Sequence, residues 1–174
     1  MKIEIRIGAV FYEQILEDLS RCHPFAAERV GFAFGRIGSL VDRGALVLLT
    51  GYHAIPDAQY IADPSVGARI GSEAITEAMQ AAYHGRPTRQ GVFHVHLHVH
   101  RGPTGMSETD RCEIPKLLPG FRSVGRQAAH GILILSLNHG AGWVWLPDEP
   151  EVVRAHSVNV IGKPVEIFES EDRK

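Results

Sequence analysis

Four histidines alternate with apolar residues near the middle of the chain. Residues 93–100 read FHVHLHVH, so His94, His96, His98 and His100 stand at every second position. Because successive side chains of a β-strand point to opposite faces, this spacing predicts a strand with all four imidazoles on one face. Neutral imidazole is a good ligand for zinc and similar metals. The pattern predicts a metal site, with an expression artefact, a histidine-lined surface or a metal-free pH sensor as the alternatives.

A short polar motif follows the histidines after a loop rich in glycine and proline. Residues 107–110 read SETD, and Ser107 is predicted to cap a helix that contains Asp110. Residues three apart are neighbours on a helix surface, so both side chains can point into one cavity. Two histidines and a carboxylate, with a fourth position left to water, are a common ligand set of hydrolytic zinc sites. These residues predict a metal-dependent hydrolase.

The composition is that of an ordinary globular protein. The 174 residues are 44% hydrophobic and 22% charged, with a formal net charge of -2. This length fits a single domain, 1–174, with a core at about 1–146 and C-terminal strands and a tail at 147–174. The lack of a strongly basic block argues against a dedicated nucleic-acid binder.

The cysteines and the apolar runs bear on the cellular compartment. Cys22 and Cys112 belong to no Cys-x-x-Cys pair, so they predict neither a disulfide framework nor a structural zinc site. The N-terminal residues alternate polar and apolar side chains, which is typical of a strand and not of a signal peptide. No apolar run approaches the roughly 18–20 residues that span a membrane. We expect a cytoplasmic protein without membrane contact.

Strands and helices are interspersed along the chain. Periodicity predicts strands at 2–7, 28–35, 45–50, 131–138, 142–146 and 158–161 beside the histidine strand, and helices at 9–21, at 72–83 and from 107 onward. Such an order is typical of an α+β or α/β domain. We adopt α+β, with a mixed, mostly antiparallel sheet flanked by helices.

The chemistry-bearing residues together resemble a known family. Glu28 begins a Glu-x-x-Gly-x-x-x-Gly segment, and the histidines and the Ser-x-x-Asp motif of residues 107–110 follow it in order. This resembles the JAMM (MPN-plus) zinc metalloproteases, which include deubiquitinating isopeptidases and their prokaryotic relatives. Their motif is a Glu, then His-x-His, about seven residues, then Ser-x-x-Asp. The resemblance covers roughly residues 1–146 and implies a cytidine-deaminase-like fold.

The histidine register departs from the family motif. Six residues separate His100 from Ser107, and eight separate His98 from Ser107, so the family spacing falls between the two. Either His98 and His100 or His96 and His98 could be the ligand pair. Loop-forming residues begin directly after His100, which slightly favours the first pair.

The resemblance also implies roles for the residues. It implies a Zn²⁺ ion held by the histidine pair and Asp110, with Glu28 as the general base that later protonates the leaving amine. Ser107 would donate a hydrogen bond to the oxyanion.

The implied reaction is cleavage of a peptide or isopeptide bond after the C-terminal glycine of a ubiquitin-like protein or its conjugates. Activating or conjugating enzymes of the same system are the implied further partners. Two alternatives remain. One is a small-molecule metallo-amidohydrolase or Cys-releasing peptidase, and the other is a non-catalytic protein-interaction module of the MPN type.

Overall fold

One continuous β-sheet dominates the protein. The computed structural model describes residues 1–25, 27–40, 44–63, 65–147, 149–162 and 166–169. The predicted C-terminal tail at 170–174 lies outside these ranges. The nine strands are β1 Ile3–Gly8, β2 Val30–Ser39, β3 Ala45–Ala54, β4 Gln90–His98, β5 His130–Ser136, β6 His139–Trp145, β7 Val152–Arg154, β8 Ser157–Ile161 and β9 Glu166–Glu169. The α-helices are α1 Ala9–Leu19, α2 Ser72–His84, α3 Glu108–Glu113 and α4 Leu118–Val124, with 3₁₀ turns at Asp57–Gln59, Arg86–Thr88 and Ile114–Lys116.

The predicted α+β class is wrong. The nine strands curl into a half-barrel, and helix accounts for only 29% of the described residues. The helices are short: α2, the longest, has 13 residues and α3 has 6. The strands are longer than predicted, since β2 and β3 continue to Ser39 and Ala54, beyond the ends predicted at 35 and 50. The family resemblance implied the same α+β class, and that expectation is wrong as well, because only a few short helices lie against a large sheet in the described residues.

The histidine strand lies inside this sheet. The strand order is β7-β6-β5-β4-β2-β3-β1-β8-β9, so β4 has a neighbour on each side. It pairs antiparallel with β2 and parallel with β5. His96 lies opposite Val30 on one side and Ile134 on the other, and His98 lies opposite Ser136. Since a shift by one residue would turn every side chain to the other face, these two ladders fix which face the imidazoles occupy.

Both faces of β4 are covered. Phe93, Val95 and Leu97 pack into the larger core with β1 and α1. On the imidazole face, one apolar cluster joins β2 to α2 and α4, and another joins β5 and β6 to Ile114. His96 lies between these clusters and is only 1% exposed. The imidazole face is therefore a partly buried surface with apolar clusters on either side.

A glycine in β4 allows the close approach of β5. A Cβ atom at Gly91 would overlap the backbone carbonyl oxygen of Ala129, whereas one at Gly38 in β2 would meet no heavy atom within 4 Å. We expect Gly91→Ala to lower the free energy of unfolding by about 1–3 kcal/mol, because backbone must shift to admit the methyl group. Gly38→Ala should change it by less than about 0.5 kcal/mol. Urea unfolding of both variants measures the difference, and equal values would contradict the packing described here.

Each helix in the described ranges is too short or too polar to cross a lipid bilayer.

Candidate metal centre

Four side chains from three parts of the chain meet beside the C-terminal end of β4. His96 and His98 come from β4, Asp110 from α3, and Glu28 from the segment that leads into β2. We call these four residues the donor cluster. Their Nε2 and carboxylate oxygen atoms face one another across short distances, so the cluster combines two imidazoles with two carboxylates.

The distances within the donor cluster suit a bound metal ion. The two Nε2 atoms of His96 and His98 are 3.2 Å apart. Oδ2 of Asp110 lies 3.5 Å from Nε2 of His96 and 3.9 Å from Nε2 of His98. Bonds of 2.0–2.2 Å at tetrahedral angles place the donors of a zinc site about 3.4 Å apart. The observed separations bracket that value, so these three donors fit a four-coordinate metal with one position open.

Glu28 completes the donor cluster from the other side. Its Oε1 lies 3.9 Å from Nε2 of His98, and the ligand atoms of Glu28, His96 and His98 all lie within 4.8 Å of one another. The carboxylate is 30% exposed, so solvent reaches it. Glu28 is therefore placed either as a ligand or as a base beside a metal-bound group.

The segment around Glu28 is anchored by its neighbours. The guanidinium of Arg29 is buried, donates to Asp57 at 2.7 Å and to the carbonyl oxygen of Arg21 at 3.0 Å. The hydroxyl of Tyr60 donates to the carbonyl of Val30 and accepts from its N–H. Arg29 thus pairs with Asp57 and not with Glu28, which leaves the Glu28 carboxylate to the donor cluster.

A hydroxyl group orients the ring of His98. Oγ1 of Thr104 lies 3.2 Å from Nδ1 of His98, and Thr104 is buried. When Nδ1–H donates to that hydroxyl, the lone pair of Nε2 is free to bind a metal. Such partners commonly fix the tautomer of metal-binding histidines. The buried Nδ1 of His96 has no hydrogen-bond partner among the described residues. The His96 ring makes its polar contacts with these residues through Nε2.

Asp110 is held by the N-terminal cap of α3. Oγ of Ser107 accepts a hydrogen bond from the N–H of Asp110, and Oδ2 of Asp110 accepts from both N–H and Oγ–H of Ser107. Burial by itself raises the pKa of Asp110, but hydrogen bonds from His96 and Ser107 hold that pKa below its usual range. Asp110 is therefore an anion, as a metal ligand must be. Ser107 lies on the wall of the same cavity, with its hydroxyl proton directed to Asp110.

The other two histidines of the row lie apart from the donor cluster. His100 follows the end of β4, is exposed, and its Nδ1 lies 3.1 Å from the carbonyl oxygen of Arg101. His94 is deeply buried against Phe32, and burial lowers its pKa to about 3, so its ring is neutral. Of the two ligand registers open from the sequence, the structure brings together His96 and His98, and it does not bring His100 to Asp110.

A cavity of about 580 Å³ opens over the donor cluster. Glu28, His96 and Asp110 lie on its wall, and the segment 65–70 forms another part of its lining. That segment is tied to the centre, because the N–H of Glu28 donates to the carbonyl of Gly67 at 2.7 Å. Sequence reasoning missed both this wall and Thr104. Residues 65–70 carry no periodic signal, and the only clue to Thr104 is its place between the two halves of the motif.

No protein-family model matches the sequence, and no curated protein is significantly similar to it. The geometry of the donor cluster is therefore the observation that indicates a metal centre.

Proposed function

We propose that this protein is a zinc-dependent peptidase or isopeptidase of the JAMM type. It cleaves the amide bond that follows the C-terminal glycine of a ubiquitin-like protein. The observation that carries this proposal is the convergence of His96, His98 and Asp110, with donor separations of 3.2–3.9 Å, beside Glu28. Two imidazoles, one carboxylate and an open position form a ligand set of hydrolytic zinc sites.

Zinc suits this donor set better than the harder cations. Imidazole nitrogen favours zinc and other borderline metals, whereas Mg²⁺ and Ca²⁺ favour sites built from oxygen alone. When bound, zinc acidifies water and polarises the carbonyl of the scissile amide.

The protein residues supply the proton transfer and the positioning. Glu28 is the general base: its carboxylate takes a proton from the attacking water and then delivers it to the nitrogen of the leaving amine. Ser107 holds Asp110 in place through the cap of α3. In the reaction, rotation of its hydroxyl would turn the proton from Asp110 toward the oxyanion of the substrate.

Thr104 supports metal binding through His98. We expect Thr104→Val to weaken zinc binding by about 10–100-fold, because the partner that orients the His98 ring is lost. Competition with a chromogenic chelator measures the affinity. Thr76→Val in α2 is the matched control, since that hydroxyl hydrogen-bonds the helix carbonyl of Ser72. An unchanged affinity in Thr104→Val would show that His98 needs no such partner.

The proposed substrate enters as an extended tail. Such tails lie along an exposed sheet edge, where main-chain hydrogen bonds give affinity. Activating or conjugating enzymes of the same ubiquitin-like system would be the further partners. We place the protein in the cytoplasm, a reducing compartment that suits its two exposed free thiols, Cys22 and Cys112.

A cleavage assay tests the proposed function. The zinc-loaded protein is incubated with ubiquitin-like proteins ending in Gly-Gly, joined either to a reporter peptide or to a lysine side chain. Mass spectrometry should find a cut directly after the terminal glycine. A chelator should abolish the cut and added zinc should restore it.

Two other outcomes of the cleavage assay would indicate a different function. Zinc uptake with cleavage of small amides alone would indicate a small-molecule amidohydrolase. Neither zinc uptake nor cleavage, with binding of the ubiquitin-like protein retained, would indicate an interaction module.

A further inference from the structure

A second cavity reaches the donor cluster at His98. It has a volume of about 330 Å³. Its walls come from four parts of the chain: His100 with the loop 103–106, Arg111 of α3, Trp143 of β6 and Arg154 of β7. The larger cavity is lined by His96 and this one by His98, and the Nε2 atoms of these two residues are 3.2 Å apart. A substrate that crosses the metal would place a group in each.

The charged side chains that line the second cavity, among the described residues, are those of Arg111 and Arg154. The guanidinium of Arg154 lies over the ring of Trp143, 5.8 Å from its centroid. Arg111 forms no ion pair with any residue in the described part of the chain. The larger cavity differs, because three carboxylates line it, those of Glu28, Asp110 and Glu113. Its two basic residues, Arg69 and Lys116, are paired with Asp63 and Glu113. An anionic group therefore favours the second cavity over the first.

The loop that walls the second cavity is fixed in place. The N–H of Gly102 donates to Oδ1 of Asn138 at 2.7 Å, and the hydroxyl of Ser136 donates to the carbonyl of Gly102 at 2.7 Å. The N–H of Leu137 donates to the carbonyl of His100. Gly102 has a φ of 96°, which favours glycine at this turn. The cavity is thus built by the fold, because the turn between β5 and β6 holds its loop.

We infer that the second cavity binds a carboxylate of the substrate next to the scissile amide. The inference rests on the proposed function, which places that amide at the donor cluster. Guanidinium groups bind carboxylates through paired, charge-assisted hydrogen bonds, and Arg111 presents such a group to this cavity. The carboxylate has two sources. It is either the side chain of an acidic residue beside the cleaved bond or the C-terminal carboxylate of a released residue.

Three small peptides separate these sources. Acetyl-Gly-Gly-Asp-amide carries a side-chain carboxylate, acetyl-Gly-Gly-Asn carries a C-terminal one, and acetyl-Gly-Gly-Asn-amide carries none. Intrinsic tryptophan fluorescence reports their binding to the full-length protein with and without zinc, because one of the two tryptophans, Trp143, lines the cavity. We expect at least one charged peptide to bind about tenfold more tightly than the neutral one, in both forms of the protein. The charged peptide that binds more tightly identifies the source of the carboxylate.

Arginine variants then test whether the carboxylate binds in the second cavity. Arg111→Gln should reduce the tenfold preference to less than about threefold, whereas Arg126→Gln should keep it, because Arg126 is exposed beside a different cavity. Equal affinity for all three peptides, or a preference that Arg111→Gln leaves unchanged, would overturn the inference. A preference seen only with zinc would also overturn it, since the carboxylate would then be binding the metal. Failure of the proposed function shows separately, as absent zinc uptake with the peptide preference intact.

Discussion

Replacing His96 with alanine should abolish stoichiometric zinc binding, whereas replacing His100 should leave it intact. Nε2 of His96 lies 3.5 Å from Oδ2 of Asp110, while His100 is exposed beyond the end of β4. Loss of one of three protein ligands should weaken the zinc affinity by at least about 1000-fold. Elemental analysis of dialysed, untagged protein should find one zinc per chain in the wild type and in His100→Ala, and none in His96→Ala.

Further variants distinguish the loss of a zinc ligand from a folding defect. His96 is only 1% exposed, so His96→Gln, which better preserves its volume, should be compared with the alanine variant by circular dichroism. His98→Ala and Asp110→Ala should also lose zinc. If His100→Ala lost zinc and His96→Ala kept it, the ligand pair would be His98 and His100, and the geometry described for β4 would not be that of the metal-bound protein.

The sequence indicated the residues of the donor cluster but not their register. Strict alternation predicted the histidine strand, and the SETD motif predicted a helix capped by Ser107; both elements are confirmed. The strand ends at His98 because the last pair with β5 joins His98 to Ser136. Beyond it the N–H of His100 bonds back to the carbonyl of His98 at 2.7 Å. Pairing with β5 therefore sets the C-terminal end of β4, and the sequence around His98 does not predict it.

The fold class was misjudged for a similar reason. Period-two patterns reveal single strands, but they do not show that β8, β1 and β3 lie side by side and extend one sheet to nine strands. Parallel pairs such as β1 with β8 join residues about 150 positions apart, for example Ile5 with Val158. The second cavity has the same origin, because its two arginines come from α3 and β7. Features assembled by distant pairing are the ones that the sequence did not predict.

Replacing Glu28 with glutamine should lower kcat for amide cleavage by about 100- to 10,000-fold, because glutamine keeps the shape of the side chain but cannot accept the proton. Zinc binding should be unchanged in this variant. The experiment combines kcat for a Gly-Gly fusion with elemental analysis of the same sample. Since Oε1 of Glu28 lies 3.9 Å from Nε2 of His98, a base at this position is close enough to reach a group held at the donor cluster.

The matched control is Glu113→Gln, which changes another carboxylate on the wall of the same cavity. Glu113 pairs with Lys116 at 2.6 Å, and kcat should stay within about twofold of the wild type. Loss of zinc in Glu28→Gln would make Glu28 a ligand, a role that the 4.8 Å grouping with His96 and His98 also permits. Retained zinc with undiminished kcat would exclude Glu28 as the base. Only retained zinc with a large fall in kcat separates proton transfer from metal binding, and that is the outcome we expect.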